Sequence, residues 1–206
     1  MEYLDIYDEQ GNWLGKEKRS IVHRDAMWHK TVHCWLYDKS GNVFFQVRKE
    51  EGTLYTTASG HILAGETIQE GFAREMKEEL GIEIDARDAI EVNVVPFIMD
   101  RINQNGSVFR DRAFANVYLD LYEGDYQDFE LDSNEVSALV LVNAKEVYEM
   151  FLKKQGEVVG KVITCQENFN DVREQVIRFS DFLVNPQETA MGKYGMILEK
   201  VISMTE

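Results

Sequence analysis

Three glutamates within five residues carry the clearest chemistry in this sequence. Glu75, Glu78 and Glu79 stand at positions i, i+3 and i+4, so on a helix their carboxylates share one face. Like charges at this spacing repel by about 0.2–0.5 kcal/mol per pair in an isolated helix, and a divalent cation would turn that repulsion into attraction. Oxygen ligands alone suit Mg²⁺ or Mn²⁺ better than Zn²⁺. The pattern predicts a divalent-metal site, and a solvated glutamate-rich helix is the alternative.

Residues 66–80 predict the helix that would carry these carboxylates. Its apolar positions are Ile68, Phe72, Met76 and Leu80. They recur every fourth residue and form the buried row of an amphipathic helix. Thr67 and Glu70 have the spacing of a capping box, and Gly81 suits the C-terminal cap. The glutamates are therefore expected on a helix with defined ends.

The surrounding stretch, residues 60–82, reads GHILAGETIQEGFAREMKEELGI. Gly60 and Gly65 bracket a loop whose backbone can approach a ligand closely. The stretch resembles, at every position, the signature of the Nudix hydrolases, G-x5-E-x7-R-E-U-x-E-E-x-G-U, where U is aliphatic. Seven fixed letters at about one in fifteen each make a chance match on the order of one in 10⁸ per starting position. The chain is identified as a member of that superfamily.

The resemblance implies both a fold and a reaction. The fold is of the α/β (α+β) class, an α/β/α sandwich in which a loop, a helix and a second loop lie beside a mixed sheet. The reaction is hydrolysis of a nucleoside diphosphate linked to another moiety, or of a related small diphosphate, with Mg²⁺ (or Mn²⁺) as cofactor. Such cations neutralise the charge of the diphosphate and make a bound water more acidic.

The resemblance also implies roles for individual residues. The implied metal ligands are the carboxylates of Glu75, Glu78 and Glu79. The carbonyl of Gly60 is a candidate additional ligand. Arg74 would orient the glutamates through charge-assisted hydrogen bonds, and Glu66 would brace the loop.

Attack by water on phosphorus needs a general base, and the sequence offers three glutamates for this role. Glu135 comes just before a predicted strand at 138–142 and looks like the loop acid found at this place in many relatives. Glu78 and Glu79 are the alternatives for the base. A helix-capping or strand-capping role is the alternative for Glu135.

Residues 8–12 and 23–35 extend the resemblance upstream. They are similar to the N-terminal part of a Nudix branch that includes isopentenyl-diphosphate isomerase, so the resemblance covers about residues 3–145. In the isomerase, histidines at similar places bind a metal. Their counterparts here are His23, His29 and His61. They are expected to form either a second metal site or a hydrogen-bonded wall of the cleft.

The isomerase pattern fails at its catalytic positions. Ser59 stands where that enzyme has a cysteine, and a hand alignment places Arg110 and Arg112 at its two glutamates. Moving a proton onto and off a carbon–carbon double bond needs strong acid–base groups, which these residues do not supply. Loss of the glutamates also argues against a metal at the histidines. Hydrolase is the predicted activity; an isomerase-like enzyme and a non-catalytic Nudix sensor are the alternatives.

Four basic residues are candidates for binding the phosphates of the substrate. Arg48 and Lys49 end the predicted strand 43–48, and Arg110 and Arg112 come before the predicted strand 113–121. Two arginines two positions apart share a face if that stretch is extended, and Asp111 then points the other way. Surface salt bridges are the alternative for each.

Charge and composition exclude several classes of partner. The 37 acidic against 22 basic residues leave a net charge of −15, which repels nucleic acid and anionic membranes. No apolar run approaches the length of a membrane span, and the first residues lack the layout of a signal peptide. Two cysteines, Cys34 and Cys165, are too few for a disulfide framework. A cytoplasmic enzyme acting on a small phosphorylated metabolite is therefore expected.

The 206 residues are expected to form a single Nudix domain. Its predicted parts are an N-terminal hairpin (1–23), a core (29–143) that contains the box (60–82), and a helical C-terminal extension (144–206). Core strands are predicted at 31–37, 43–48, 91–99, 113–121 and 138–142. The extension is predicted as helices near 144–154, 168–184 and 187–203, which could cap the core or form the surface of a homodimer.

Overall fold

The computed structural model describes residues 2–102, 106, 108–166, 169–183 and 192–206. The strands are β1 (Tyr3–Tyr7), β2 (Trp13–Lys18), β3 (His29–Tyr37), β4 (Asn42–Arg48), β5 (Leu54–Tyr55), β6 (Ala58–His61), β7 (Ile90–Ile102), β8 (Val108–Leu121), β9 (Val136–Asn143), β10 (Glu157–Cys165) and β11 (Asn170–Arg178). The helices are α1 (Arg19–Arg24), α2 (Ile68–Leu80), α3 (Ala144–Lys153) and α4 (Gly192–Thr205).

A mixed sheet forms the middle of the molecule. Its strand order is β11-β10-β9-β4-β3-β8-β7, with β5 added to β4 and β6 added to β3. Strands β3 and β8 run parallel, whereas the other pairs are antiparallel. Strands β3 and β4 pair at Tyr37 and Val43, next to their connecting turn. Farther along, β3 pairs with β6 and β4 pairs with β5. This divergence leaves room for a cleft at the far end of the two strands.

Helices cover both faces of the sheet, which confirms the predicted sandwich. On one face, α2 packs Phe72, Met76 and Leu80 against Val32 of β3 and Phe44 of β4. The opposite face carries a second core, whose members include Trp35, Phe45, Val147, Phe151, Ile197 and Leu198. Successive residues of a strand point to opposite faces, so Phe44 and Phe45 enter different cores.

Helix α2 has both of the predicted caps. The backbone N–H of Glu70 donates to Oγ1 of Thr67 (3.2 Å), and the Thr67 N–H donates to Oε2 of Glu70 (2.8 Å), which completes the capping box. Gly81 ends the helix in the left-handed conformation, with φ of +73°. The helix therefore begins and ends at defined residues, which fixes the rotation of its glutamate face.

Strands β1 and β2 form the predicted N-terminal hairpin, but the hairpin ends at Lys18, and residues 19–23 of the predicted span belong to helix α1. Leu4 is fully buried and lies beside Leu63. The N–H of Ala64 donates to the carbonyl of Tyr3 at 2.8 Å, and the N–H of Gly65 donates to Asp5 at 2.9 Å. The hairpin therefore holds the loop that precedes α2. Helix α1, which follows the hairpin, was not predicted.

The predicted core strands are all present, and each is longer than predicted, β7 and β8 by the most. Strand β7 extends to Ile102 and β8 begins at Val108, so Arg110 and Arg112 lie within β8 rather than before it. The longer strands pair with each other as far as Ile102 and Val108.

The prediction of a wholly helical C-terminal extension is wrong. Helix α3 confirms the first predicted segment, but the segment near 168–184 contains strand β11, which pairs with β10 over nine residues. Val172 and Val176 are four positions apart, and that spacing places two residues on one face of a strand as well as of a helix. Helix α4 overlaps the third predicted helix, and residues 187–191 of that prediction lie outside the described residues.

None of the described helices is both long enough and apolar enough to span a membrane. Both cysteines are free thiols.

Candidate active site

Most of the predicted site residues meet at one cleft of about 670 Å³. Those that line it are Arg48, Lys49, Gly60, His61, Arg74, Glu75, Glu78, Glu79 and Glu135. Other residues also line it, among them Arg19, Gln46, Tyr55, Phe97, Phe109 and Asp111. A second cavity of about 650 Å³ lies beside Gly81 and Tyr122 and is lined by none of the predicted site residues.

The carboxylate of Glu75 lies directly against Gly60. A Cβ atom at position 60 would lie 1.9 Å from Oε1 of Glu75, so only glycine leaves room for this carboxylate. Glu75 is 8% exposed. Burial raises the pKa of its carboxyl to about 7. A carboxylate held in this way is a site that a cation would stabilise.

Glu79 lies deeper in the same cleft. Burial is the main cause that raises its pKa, followed by the charges of Glu75 and Glu135. Nε2 of Gln46 donates to Oε2 of Glu79 at 2.9 Å, and the N–H of Ser59 lies 3.3 Å from the same oxygen. The carboxylate is therefore held from strands β4 and β6, on the side away from its own helix.

Arg74 connects the glutamates of the box to the loop before them. Its Nη1 donates to Glu75 Oε1 (2.7 Å) and to Glu78 Oε2 (2.9 Å). Its Nε donates to Glu66 Oε1 (2.8 Å), and its Nη2 donates to the carbonyl of His61 (2.7 Å). These bonds, above all the one to Glu66, raise the pKa of Arg74. The guanidinium is thus occupied by protein groups and acts in orientation rather than in substrate binding.

Glu66 accepts a second set of bonds. Its Oε2 accepts from the backbone N–H of Leu63 at 2.8 Å and from Arg74 at 3.0 Å. This arrangement fits the loop-bracing role that the resemblance implies.

Glu135 lies at the rim of the cleft, next to two of the basic residues. Its backbone carbonyl accepts from the N–H of Lys49 at 2.8 Å. The guanidinium of Arg48 lies over the ring of Tyr55, 5.3 Å from its centre, and forms an ion pair with Glu51. Glu135 and the basic residues Arg48 and Lys49 thus lie together at the open side of the glutamate cluster.

The donor set fits a hard divalent cation. Among the described residues that line the cleft, the box contributes three carboxylates on one face of α2, and the loop contributes Glu135. Oxygen ligands of this kind are those that Mg²⁺ and Mn²⁺ prefer. Burial raises the pKa of Glu75 and Glu79, and a bound cation would stabilise their charged forms.

Three histidines form a second cluster beside the first. Ligand-capable atoms of His23, His29 and His61 lie within 4.8 Å of one another. Nε2 of His61 is 3.0 Å from Nε2 of His23, and Nε2 of His29 is 3.3 Å from Oδ1 of Asp111. Burial lowers the pKa of His29 and, more strongly, that of His61. Neutral rings are the form that binds metals.

Backbone carbonyls hold the outer nitrogens of two of these rings. Nδ1 of His23 lies 2.9 Å from the carbonyl of Arg19, and Nδ1 of His29 lies 3.0 Å from that of Met27. A proton on each Nδ1 would complete these bonds and leave Nε2 as an acceptor that faces the cluster. Metal-binding histidines commonly have this arrangement.

The structure contradicts the predicted place of Arg110 and Arg112. Both lie on one face of β8, as the alternation requires, but it is the residue between them, Asp111, that lines the cleft. Arg110 donates to the carbonyl of Arg24 at 3.2 Å, and Arg112 is paired with Asp100 at 2.7 Å. Asp111, the residue between the two arginines, thus places a carboxylate beside the histidines.

Two further residues of the cleft could have been found from the sequence. Gln46 is the single polar residue in the apolar run from Val43 to Val47, and a buried amide needs a partner. Asp111 was set aside because the two arginines beside it were expected to face the substrate. Phe97 and Phe109 carry no signal that separates a cleft wall from a core.

Comparison with known proteins shows the family of the chain. Residues 27–163 match the NUDIX domain family. An uncharacterised Nudix hydrolase of Clostridium acetobutylicum is 29% identical over 98% of this chain and 97% of its own length. Nudix hydrolase 3 of Arabidopsis thaliana is 32% identical over 75% of this chain, but over only 21% of its own length.

An isomerase and a solved structure are also similar. The isopentenyl-diphosphate Delta-isomerase of Cutibacterium acnes is 27% identical over 72% of this chain and 77% of its own. A crystal structure of a Deinococcus radiodurans protein superposes with a TM-score of 0.53, at 20% identity, over 74% of this chain and 89% of that one. At that identity, the likeness supports the fold.

Proposed function

The chain belongs to the NUDIX family of hydrolases, and from this premise we propose that it is a divalent-metal-dependent pyrophosphohydrolase. Its substrate would be a nucleoside diphosphate linked to another moiety, or a related small diphosphate. The observation that carries the proposal is the meeting of Glu75, Glu78 and Glu79 beside Gly60, with Arg74 orienting two of the three. The net charge of −15 favours a small cytoplasmic metabolite over nucleic acid or a membrane surface.

The glutamates of the box would hold the cation, with the carbonyl of Gly60 as a candidate additional ligand. When bound, Mg²⁺ or Mn²⁺ would neutralise charge on the diphosphate and make water more acidic. Arg48 and Lys49 border the same cleft and would bind phosphate oxygens. Arg74, by contrast, is held by Glu66, Glu75, Glu78 and the carbonyl of His61.

We assign the general base to Glu135. It would accept a proton from water as the water oxygen attacks phosphorus and the anhydride bond breaks. Glu78 is bonded to Arg74, and Glu79 is bonded to Gln46, which leaves both better suited to metal binding than to proton transfer. Glu135 lines the same cleft from a separate loop.

A substrate screen tests the activity. The purified chain would be incubated with Mg²⁺ and a panel of nucleoside di- and triphosphates, nucleotide sugars, dinucleotides and isoprenoid diphosphates. Release of phosphate, pyrophosphate or a nucleoside monophosphate supports the proposal if Glu79→Gln abolishes it. Activity on none of these compounds would instead favour a non-catalytic sensor.

We also propose a second metal site at His23, His29 and His61, with Asp111 as a fourth ligand. Three imidazoles and one carboxylate suit Zn²⁺ or another transition metal better than Mg²⁺. Equilibration with Zn²⁺ followed by metal analysis tests this site. His61→Gln should remove one equivalent of metal that Glu79→Gln retains. Equal metal content in wild type and His61→Gln would reduce the cluster to a hydrogen-bonded wall of the cleft.

A further inference from the structure

Gln46 is a buried amide in an otherwise apolar strand. It lies on β4 between Phe44, which packs in the core beneath α2, and Arg48, which reaches the cleft. Only 4% of Gln46 is exposed. Its Nε2 donates to Oε2 of Glu79 at 2.9 Å. The amide therefore links the central sheet directly to one of the proposed metal ligands.

This bond is the shortest that Glu79 accepts from another element. The N–H of Ser59 lies 3.4 Å from Oε1 and 3.3 Å from Oε2 of Glu79, beyond the usual range for such a bond. Without Gln46, the contacts that β4 and β6 make with this carboxylate would be these two long ones. Among the described contacts from these two strands, Gln46 thus gives the Glu79 carboxylate its hydrogen bond of ordinary length.

The chemistry of an amide suits this position. It donates a hydrogen bond without carrying charge, so it orients the carboxylate and leaves its negative charge available to a cation. A lysine or arginine would pair with Glu79 and compete with the metal. An aliphatic side chain would leave a buried carboxylate oxygen without this donor, which is costly.

We propose that Gln46 is a positioning residue that pre-orients Glu79 for the divalent cation. The inference rests on the proposed function, because it assumes that Glu79 is a ligand. Groups that orient a metal ligand typically change metal affinity about 10–100-fold when they are removed. A shift of that size in the binding of metal, without substrate, is the expected signature.

Gln46→Met is the test variant, because methionine has nearly the shape of glutamine and cannot donate. Gln127→Met is its control, at a more exposed position. Nε2 of Gln127 donates to the carbonyl of Asn170 at 2.9 Å, and its Oε1 accepts from the Asn170 N–H at 2.7 Å, away from the cleft. The control also loses side-chain hydrogen bonds, but none that touches the glutamates.

The binding of Mn²⁺ to the substrate-free proteins would be measured by electron paramagnetic resonance, together with the melting temperature. Gln46→Met should weaken Mn²⁺ binding about 10–100-fold. Gln127→Met should lower the melting temperature and leave Mn²⁺ binding unchanged. In hydrolysis, Gln46→Met should need more Mn²⁺ for half-maximal rate, with the KM for substrate little changed at saturating metal.

The outcomes separate this inference from the proposed function. If wild type and Gln46→Met bind Mn²⁺ equally, the role of Gln46 is purely structural and the inference is wrong. If the wild-type chain binds no Mn²⁺ at the box, the proposed function fails first. A loss of Mn²⁺ affinity in Gln46→Met and in Gln127→Met alike would also overturn the inference, because it would reflect general loosening of the fold.

Discussion

Gly60 and Glu75 lie so close together that a methyl group at position 60 would come within 1.9 Å of the carboxylate. The two residues are 15 positions apart in the sequence. They meet because β6 ends beside the middle of α2. Absence of a side chain at one residue therefore creates the space for the functional group of the other.

The first prediction follows from this contact. Gly60→Ala should displace the Glu75 side chain and lower hydrolysis strongly, because a carboxylate cannot share that space with Cβ. Thermal melting should show a loss of stability that the double variant Gly60→Ala/Glu75→Ala partly recovers, since the clash is gone. Hydrolysis should not recover in the double variant. A fully active Gly60→Ala enzyme would contradict the arrangement.

The second prediction concerns the cation. Glu78→Gln and Glu79→Gln should each lower kcat by several orders of magnitude with the fold intact, because each removes a charged oxygen ligand. Glu83→Gln is the control, since that exposed glutamate pairs with Lys77 beyond the end of α2. Excess chelator should abolish wild-type hydrolysis, and Mg²⁺ or Mn²⁺ should restore it. Full activity in chelator would refute the metal requirement.

The third prediction separates two pairs of basic residues. Arg48→Ala and Lys49→Ala should raise KM more than they lower kcat, because they would remove binding that ground state and transition state share. Arg110→Ala and Arg112→Ala should leave both constants nearly unchanged, since these side chains lie outside the cleft. Steady-state kinetics of the four variants gives the comparison, and a raised KM for Arg112→Ala alone would reverse it.

The fourth prediction concerns pH. The pKa of Glu75 is about 7 when folded, against 4.5 as an ordinary glutamate, so the metal-free folded state holds this proton more tightly than the unfolded chain. On this account, the stability that the group contributes falls as pH rises from about 4.5 to about 7. The ionised form above that pH binds the cation. Added Mn²⁺ should therefore raise the melting temperature more at about pH 8 than at about pH 6.

Glu75→Gln provides the control for this experiment, because it has no proton to lose. The pH dependence of the Mn²⁺ effect should be smaller in this variant. An equal increase in melting temperature at both pH values in the wild type would show that Glu75 is already ionised at the lower pH.

The fifth prediction concerns isomerisation. The chain should not convert isopentenyl to dimethylallyl diphosphate, although one relative bears the name of that enzyme. By the resemblance, Ser59 stands where the isomerase has its catalytic cysteine, and a hydroxyl is too weak an acid and base for the reaction. Product analysis after prolonged incubation would detect the isomer. Its formation by the purified protein would overturn the hydrolase assignment.

Local spacing was sufficient for the elements that carry the glutamates. The capping residues Thr67, Glu70 and Gly81 and the apolar row of α2 lie within one helix, so their geometry depends on neighbours in the chain. For the same reason, the fixed letters of the box were enough to indicate the family and the class of reaction. The hairpin at the N-terminus was equally readable, because a short turn separates its strands.

Patterns that fit two kinds of element were not sufficient. Val172 and Val176 are compatible with a helix or a strand, and pairing of β11 with β10 decided between them. The sequence predicted correctly that Arg110 and Arg112 share one face of β8 and that Asp111 points the other way. Which of these faces lines the cleft depends on how β8 packs beside β3, and it is the face of Asp111.

The sequence by itself determined the family, the fold class and the helix with its caps, and it singled out the acidic residues proposed as metal ligands. The tertiary structure decided which distant residues meet in the site: Gln46 at Glu79, Gly60 at Glu75, and Asp111 at His29. The physical reason is that such contacts depend on strand order and on the divergence of β3 from β4. These arise from packing across the whole chain rather than from any local spacing of residues.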